Sequence, residues 1–213
     1  TLKLLDEIVA VTVQKFSAEN RPFVDVIVPP QDITSGSVQI LVLEFVTGEV
    51  RADGAFRTPS EELTAMVRAK PGRPLNVEEL TDDLDWLNRS MFRTVELVLE
   101  RGDAFGETDL VLDVEEKSPW RIYVSMDNTG SRATGRERYL LGGNFGDVFF
   151  SDALLSYQYT SSRDLVSDGR APFGLTSRRP AYAAHSFDYS VPFSDRSVLS
   201  VFGFHAESRP NLG

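Results

Sequence analysis

The sequence predicts an α+β chain, a β-α-α-β-β module followed by an antiparallel β-meander, and three observations carry that reading. From 119 to 160, apolar and polar residues alternate with period two in runs separated by turn residues, as strands do when their two faces meet different media. Upstream, Thr58-Pro59-Ser60-Glu61 and Asn76-Val77-Glu78-Glu79 each have the form of a helix start placed ahead of a helical apolar stripe. Residues 1–47 repeat the order in which the module closes, helix, strand, strand, so an incomplete repeat precedes a complete one.

Taken in order, residues 2–17 read as a helix with Leu5, Ile8, Val9 and Phe16 on its stripe, stopped by Asn20 in a left-handed conformation and by Pro22. A short strand over 23–28 is closed by Pro29-Pro30, and a turn over 32–36 follows. The next strand, 38–45, is apolar on both sides and is expected to lie centrally in its sheet. A strand over 48–56 opens the complete module. Thr58 is expected to cap the first helix, with Glu61 completing the box, Leu63, Met66 and Val67 facing inward, and Pro71-Gly72 ending it. In the second helix Val77, Leu80, Leu84 and Leu87 share a face, while Glu78, Asp82, Asp83 and Asp85 are expected to point outward as a solvated face. Val95, Leu97 and Leu99, then Leu110, Leu112 and Val114, form the inward sides of a hairpin bracketed by Gly102 and Gly106.

In the meander, the first strand sorts Trp120, Ile122, Val124 and Met126 from Arg121, Tyr123, Ser125 and Asp127. The second sorts Tyr139, Leu141, Gly143 and Phe145 from Arg138, Leu140, Gly142 and Asn144. The third sorts Ala153, Leu155, Tyr157 and Tyr159 from Leu154, Ser156, Gln158 and Thr160. A polar loop over 161–180 leads to a fourth strand with His185, Phe187, Tyr189 and Val191 opposite Ser186, Asp188 and Ser190. A fifth, 198–206, is apolar on both faces and its sides stay unassigned. Short turns alternating with long loops suit the wall of a membrane-spanning barrel, and the alternation alone suits an ordinary soluble sheet equally.

The chain of 213 residues has a net charge of −10, which argues against nucleic acid, and no cysteine, which removes disulfides and thiolate chemistry. No apolar run is long enough for a spanning helix. Thr1-Leu2-Lys3-Leu4-Leu5-Asp6 is not a secretion leader, and the chain starts inside a helix pattern and stops after a strand, so a piece of a longer protein is expected. Nothing points to catalysis, a cofactor, a metal or a small-molecule substrate. His185 and Asp188 lie three apart in a strand and so face opposite ways. Gly142-Gly143-Asn144-Phe145-Gly146 has no following Lys-Ser/Thr for a phosphate.

Val28-Pro29-Pro30-Gln31, Asp83-Leu84-Asp85-Trp86-Leu87-Asn88-Arg89 with Phe92-Arg93, and Pro119-Trp120-Arg121 with Asp127-Asn128-Thr129-Gly130-Ser131 and Thr134-Gly135 follow one another in the order found in one family. The chain resembles the two-partner secretion transporters, of the haemolysin activation/secretion type within the POTRA-barrel superfamily. The resemblance implies the end of a first POTRA domain (1–47), a second POTRA domain (48–118) and about five strands of an incomplete transmembrane β-barrel (119–213). Departures are Asn20 in place of a glycine and Ser90-Met91 in place of Asn-Pro. The plug helix, the later strands and the Arg-Gly-Tyr loop motif are not in these residues, and five strands cannot close a pore.

A non-enzymatic role follows from the resemblance: periplasmic POTRA domains bind an unfolded exoprotein that is β-helical once folded, and a barrel in outer-membrane lipid conducts it out. Insertion of other barrels and a soluble β-rich binding protein are the alternatives. A small sheet covered by two helices leaves an open edge for an extended partner. The expected edge is 92–100, with Phe92, Arg93, Thr94, Glu96 and Glu100, and a proline at Glu96 is expected to close it. Arg121, Tyr123, Ser125, Asp127, Arg138, Asn144, Gln158 and Asp188 are expected to face the lumen.

Overall fold

The computed structural model describes residues 2–31, 36–167 and 179–210. Most of the expected turn over 32–36, the middle of the polar loop and the last three residues lie outside them. The chain divides into two compact units, Thr1–Glu116 and Lys117–Gly213.

In the first unit, helix α1 (Leu2–Ala18) stops where Asn20 takes φ 61°, an αL position that asparagine tolerates. Leu5, Val9, Val13 and Phe16 are its half-buried stripe, and Ile8, expected on it, is 38% exposed. Strand β1 (Val24–Ile27) pairs antiparallel with β2 (Leu41–Glu44). The central position expected for β2 is corrected. Among the described residues it pairs with β1 alone, and Leu41 and Val42, which point to opposite faces of the strand, are both exposed.

Strands β3 (Val46–Asp53), β4 (Arg93–Arg101) and β5 (Glu107–Glu116) form a sheet of order β3-β5-β4, with β3 parallel and β4 antiparallel to β5. Helices α2 (Ser60–Ala65) and α3 (Val77–Leu87) cover one face, and Leu63, Leu75, Leu80, Leu87, Val95, Leu110, Leu112 and Val114 are buried between the layers. Asn76 caps α3 as expected, its side chain accepting from the Glu79 N–H at 3.1 Å.

Two local expectations are overturned. Thr58 does not cap α2, which begins after Pro59 with no side-chain cap. Its hydroxyl donates to Glu116 Oε1 at 2.7 Å, and the N–H groups of Phe56, Arg57 and Thr58 donate to the same carboxylate. Burial acts to raise the Glu116 carboxyl, and these donors outweigh it and hold it below the usual range. Asp83 is not on a solvated face. It is 1% exposed and accepts from the Arg68 N–H and Nε, each at 2.8 Å, so the buried carboxylate is satisfied by the segment that follows α2.

The second unit is a five-stranded antiparallel meander of β6 (Trp120–Asp127), β7 (Arg138–Gly146), β8 (Leu154–Ser162), β9 (Tyr182–Pro192) and β10 (Val198–Ser208), paired in sequence order. A short helix α4 (Asp164–Ser167) opens the polar loop. The register aligns Trp120, Phe145, Leu155, Tyr189 and Val201 on one face, and Arg121, Asn144, Ser156, Asp188 and Phe202 on the other. Pairing with β9 also assigns the fifth strand: Leu199, Val201, Gly203 and His205 join the oily face, while Phe202 and Phe204 lie on the polar one. Tyr123 lies over Gly142 on the polar face and Phe187 over Gly203 on the oily face, so rings fill the space that the glycines leave.

Candidate functional site

Two features come from this fold, an open edge in the first unit and a two-faced sheet in the second. In the three-stranded sheet β3 and β4 are the edges. Along β3 the edge is occupied at its start: Thr47 N–H donates to Arg73 O and Gly72 N–H to Thr47 O, both at 2.8 Å. Along β4, Val95 is held by the side chain of Asn88, just beyond α3. Val95 N–H donates to Asn88 Oδ1 at 2.7 Å, and Asn88 Nδ2 donates to Val95 O at 2.8 Å. Both backbone groups of Val95 therefore point away from β5. The antiparallel rule then sends those of Leu97, Leu99 and Arg101 outward as well, and those of Glu96, Val98 and Glu100 toward β5. Gly102 N–H donating to Glu107 O fits the same parity.

This parity revises the expected site. Thr94, Glu96 and Glu100 are exposed on the helix-free face of the sheet, with Glu100 paired to Arg51 at 2.6 Å. Phe92 and Arg93 are 6% and 4% exposed, so neither is offered to a partner. Arg93 shares the inward side with Val95, and its Nε and Nη2 donate to Leu87 O, an orphan carbonyl at the end of α3. A proline at Glu96 would cut a rung of the β4–β5 ladder rather than block the edge, since that N–H faces β5.

In the second unit the eight residues expected at the lumen share one face of the sheet. They form chains of hydrogen bonds across strands. Arg121 Nη2 donates to Asn144 Oδ1 at 3.0 Å and Asn144 Nδ2 to Ser156 Oγ at 2.8 Å, while Tyr123 OH donates to Gln158 Oε1 at 3.3 Å. Arg138 does not line open space as expected. It is 7% exposed, and its guanidinium gathers Gly135 O, Glu137 O and Thr134 Oγ1, so the loop between β6 and β7 folds back on its own arginine. Asp127 accepts from Thr129 in the same loop.

The opposite face is apolar and uncovered: Trp120, Ile122, Val124 and Met126 are 58%, 59%, 79% and 63% exposed. Phe149, Phe150 and Phe193 stand exposed in the short turns, and Tyr189 OH donates to Val148 O at 2.6 Å across the first of them. His185 lies on this face too, with Nδ1 2.7 Å from Tyr157 OH, while Asp188 lies on the other, so the two do not meet. The outer limit of the oily band drifts from Met126 on β6 to Phe187 on β9 and Val201 on β10, beyond which come His185, His205 and Glu207. Ala183 and Glu207 lie opposite Met126, so the limit drifts four residues over the three spacings to β9 and six over the four to β10, a tilt of roughly 45°, at the steep end of the inclination of strands in a barrel wall.

A family model described as haemolysin secretion/activation protein ShlB/FhaC/HecB matches residues 106–211. The outer membrane transporter CdiB-2 of Burkholderia pseudomallei is 31% identical over 116 residues, 52% of this chain and 19% of that one. The heme/hemopexin transporter protein HuxB of Haemophilus influenzae is 29% identical over 186 residues, 82% of this chain and 32% of that one. Among solved structures, CdiB from Escherichia coli superposes with TM-score 0.64 at 17% identity, covering 97% of this chain and 39% of that one. BamA from Haemophilus ducreyi superposes with TM-score 0.52 at 16% identity, covering 96% and 36%. The chain thus spans about a fifth to a third of the length of these curated relatives, and its fold is an α+β POTRA-type module followed by the meander that begins a transmembrane β-barrel. The chain belongs to the haemolysin secretion/activation (ShlB/FhaC/HecB) family.

Proposed function

We propose that this chain is part of an outer-membrane transporter of a two-partner secretion system, in which periplasmic POTRA domains bind a β-rich exoprotein and the barrel carries it outward. Residues 1–47 are the end of a first POTRA domain, 48–118 the second, and 119–213 the first strands of the wall. One observation carries the reading. The five-stranded sheet of a chain in this family has an apolar face open along Trp120, Ile122, Val124 and Met126, against which hydrocarbon is stable, and a hydrogen-bonded polar face. The polar side chains of that face offer a passing polypeptide replaceable hydrogen bonds. Transport of this kind needs no catalytic group, since folding of the client outside draws it through.

Insertion of other barrels is the second reading, and the likeness to BamA supports it at the level of the fold alone. The test is secretion by a diderm host that expresses the intact protein with a large β-helical product encoded beside it. The client is expected in the medium only when the transporter is present. Client retained in the periplasm, together with a fall in resident outer-membrane barrels on depletion of the protein, would overturn secretion in favour of insertion.

A further inference from the structure

We infer that Asn88 sets the register of a client strand on β4, and the inference rests on the POTRA reading above. The Asn88 amide occupies both outward groups of Val95 and so acts as one residue of an added strand. Pairing by an extended segment therefore starts at Leu97 and runs through Leu99 to Arg101, whose outward N–H and C=O groups follow from the same parity. The β3 edge does not compete over its first residues, because 72–74 already bond to it.

The side chains around those positions define the occupant. On the helix-covered side Leu97 is half-buried and Leu99 is 40% exposed, so the helix layer stops short of the far end of β4 and leaves apolar surface beside it. Client residues across from Leu97 and Leu99 share that side and are apolar. On the other side Glu96 and Glu100 are exposed on β4 with the exposed Val98 between them, Asp113 lies beside Glu96, and Arg51 pairs with Glu100. Client residues across from the two glutamates are basic. The occupant is thus an extended client segment alternating apolar and basic residues, held to one register by an asparagine rather than by the length of the edge.

The probes are an alternating valine–lysine decapeptide and its valine–glutamate counterpart, added to the intact protein in detergent micelles. Amide hydrogen exchange and titration calorimetry are the readouts. The lysine peptide is expected to slow exchange at Leu97, Leu99 and Arg101 but not at Val95, and the glutamate peptide to bind at least about tenfold more weakly. Leu99→Pro is expected to abolish lysine-peptide binding with little change in melting temperature. Asn88→Ala is expected to extend protection to Val95 and tighten binding about tenfold through the added pair of hydrogen bonds. Equal binding of the two peptides, protection on β3 instead of β4, or protection unchanged in Asn88→Ala would overturn the inference. Client export that persists alongside such a result leaves the transport reading standing, and export lost from the wild-type protein would strike that reading instead.

Discussion

The strands of residues 93–116 and those of residues 120–208 carry the same kind of alternation, and their apolar sides end in opposite environments. In the first sheet Val95, Leu110 and Leu112 are 3%, 0% and 1% exposed beneath two helices. In the second, Ile122 and Val124 are more than half exposed, with no layer over them among the described residues. Period-two patterning therefore states that a strand has two faces and is silent about what covers the oily one. The cover comes from the intervening sequence. Two helices separate β3 from β4, whereas the described residues between the meander strands form turns and the four-residue α4 and leave Ile122 and Val124 uncovered.

Three changes break or sharpen that contrast. The largest effect is expected from Leu112→Ala, which empties a sealed position and should cost the first unit about 2–5 kcal/mol in denaturant unfolding. The same truncation at the exposed Val124 should change stability in detergent far less, and equal losses would erase the distinction. Next comes Val124→Arg, expected to cost about 2–4 kcal/mol when the intact barrel is folded into lipid vesicles, where Ser125→Arg on the polar side should cost little. Equal costs at 124 and 125 would mean that the two faces do not meet different solvents.

The smallest effect is expected from Glu116→Gln, about 1.5–3 kcal/mol for weakening charge-assisted bonds to three amides and a hydroxyl. The folded-state pKa of Glu116 is depressed, so its contribution is present above the unfolded carboxylate pKa near 4.3 and is lost as pH falls through the folded value. Thermal melts of the wild-type first unit should therefore weaken into acid, and the variant should flatten that slope while leaving the second sheet unaffected.

Much of the fold was legible from residue order. Helix α1 with its Asn20 stop, the Asn76 cap, the β-α-α-β-β order and the two faces of β6 to β9 all follow from spacing, because each depends on neighbours along the chain. The misread positions are those whose partners are distant. Thr58 had the form of a cap, but Glu116 lies 58 residues away and takes its hydroxyl. Asp83 sat in an acidic run and was drawn inward by Arg68. Arg93 had the look of an edge charge and instead completes the end of α3. Phe202 and Phe204 could not be sorted from β10 alone, since a strand apolar on both sides has no phase until a neighbour fixes its register.

The sequence by itself determined the stop of α1 at Asn20, the start of α3 at Asn76, and an oily and a polar side for four of the five meander strands, whereas α2 lacks its expected cap and ends at Ala65 rather than at Pro71-Gly72. Only the tertiary structure decided which oily sides are covered, which charges are spent inside the fold, and that Asn88 takes the outward groups of Val95. The physical reason is range. Backbone preference and side-chain period act over a few residues, while burial and hydrogen-bond pairing are settled between segments far apart in the chain.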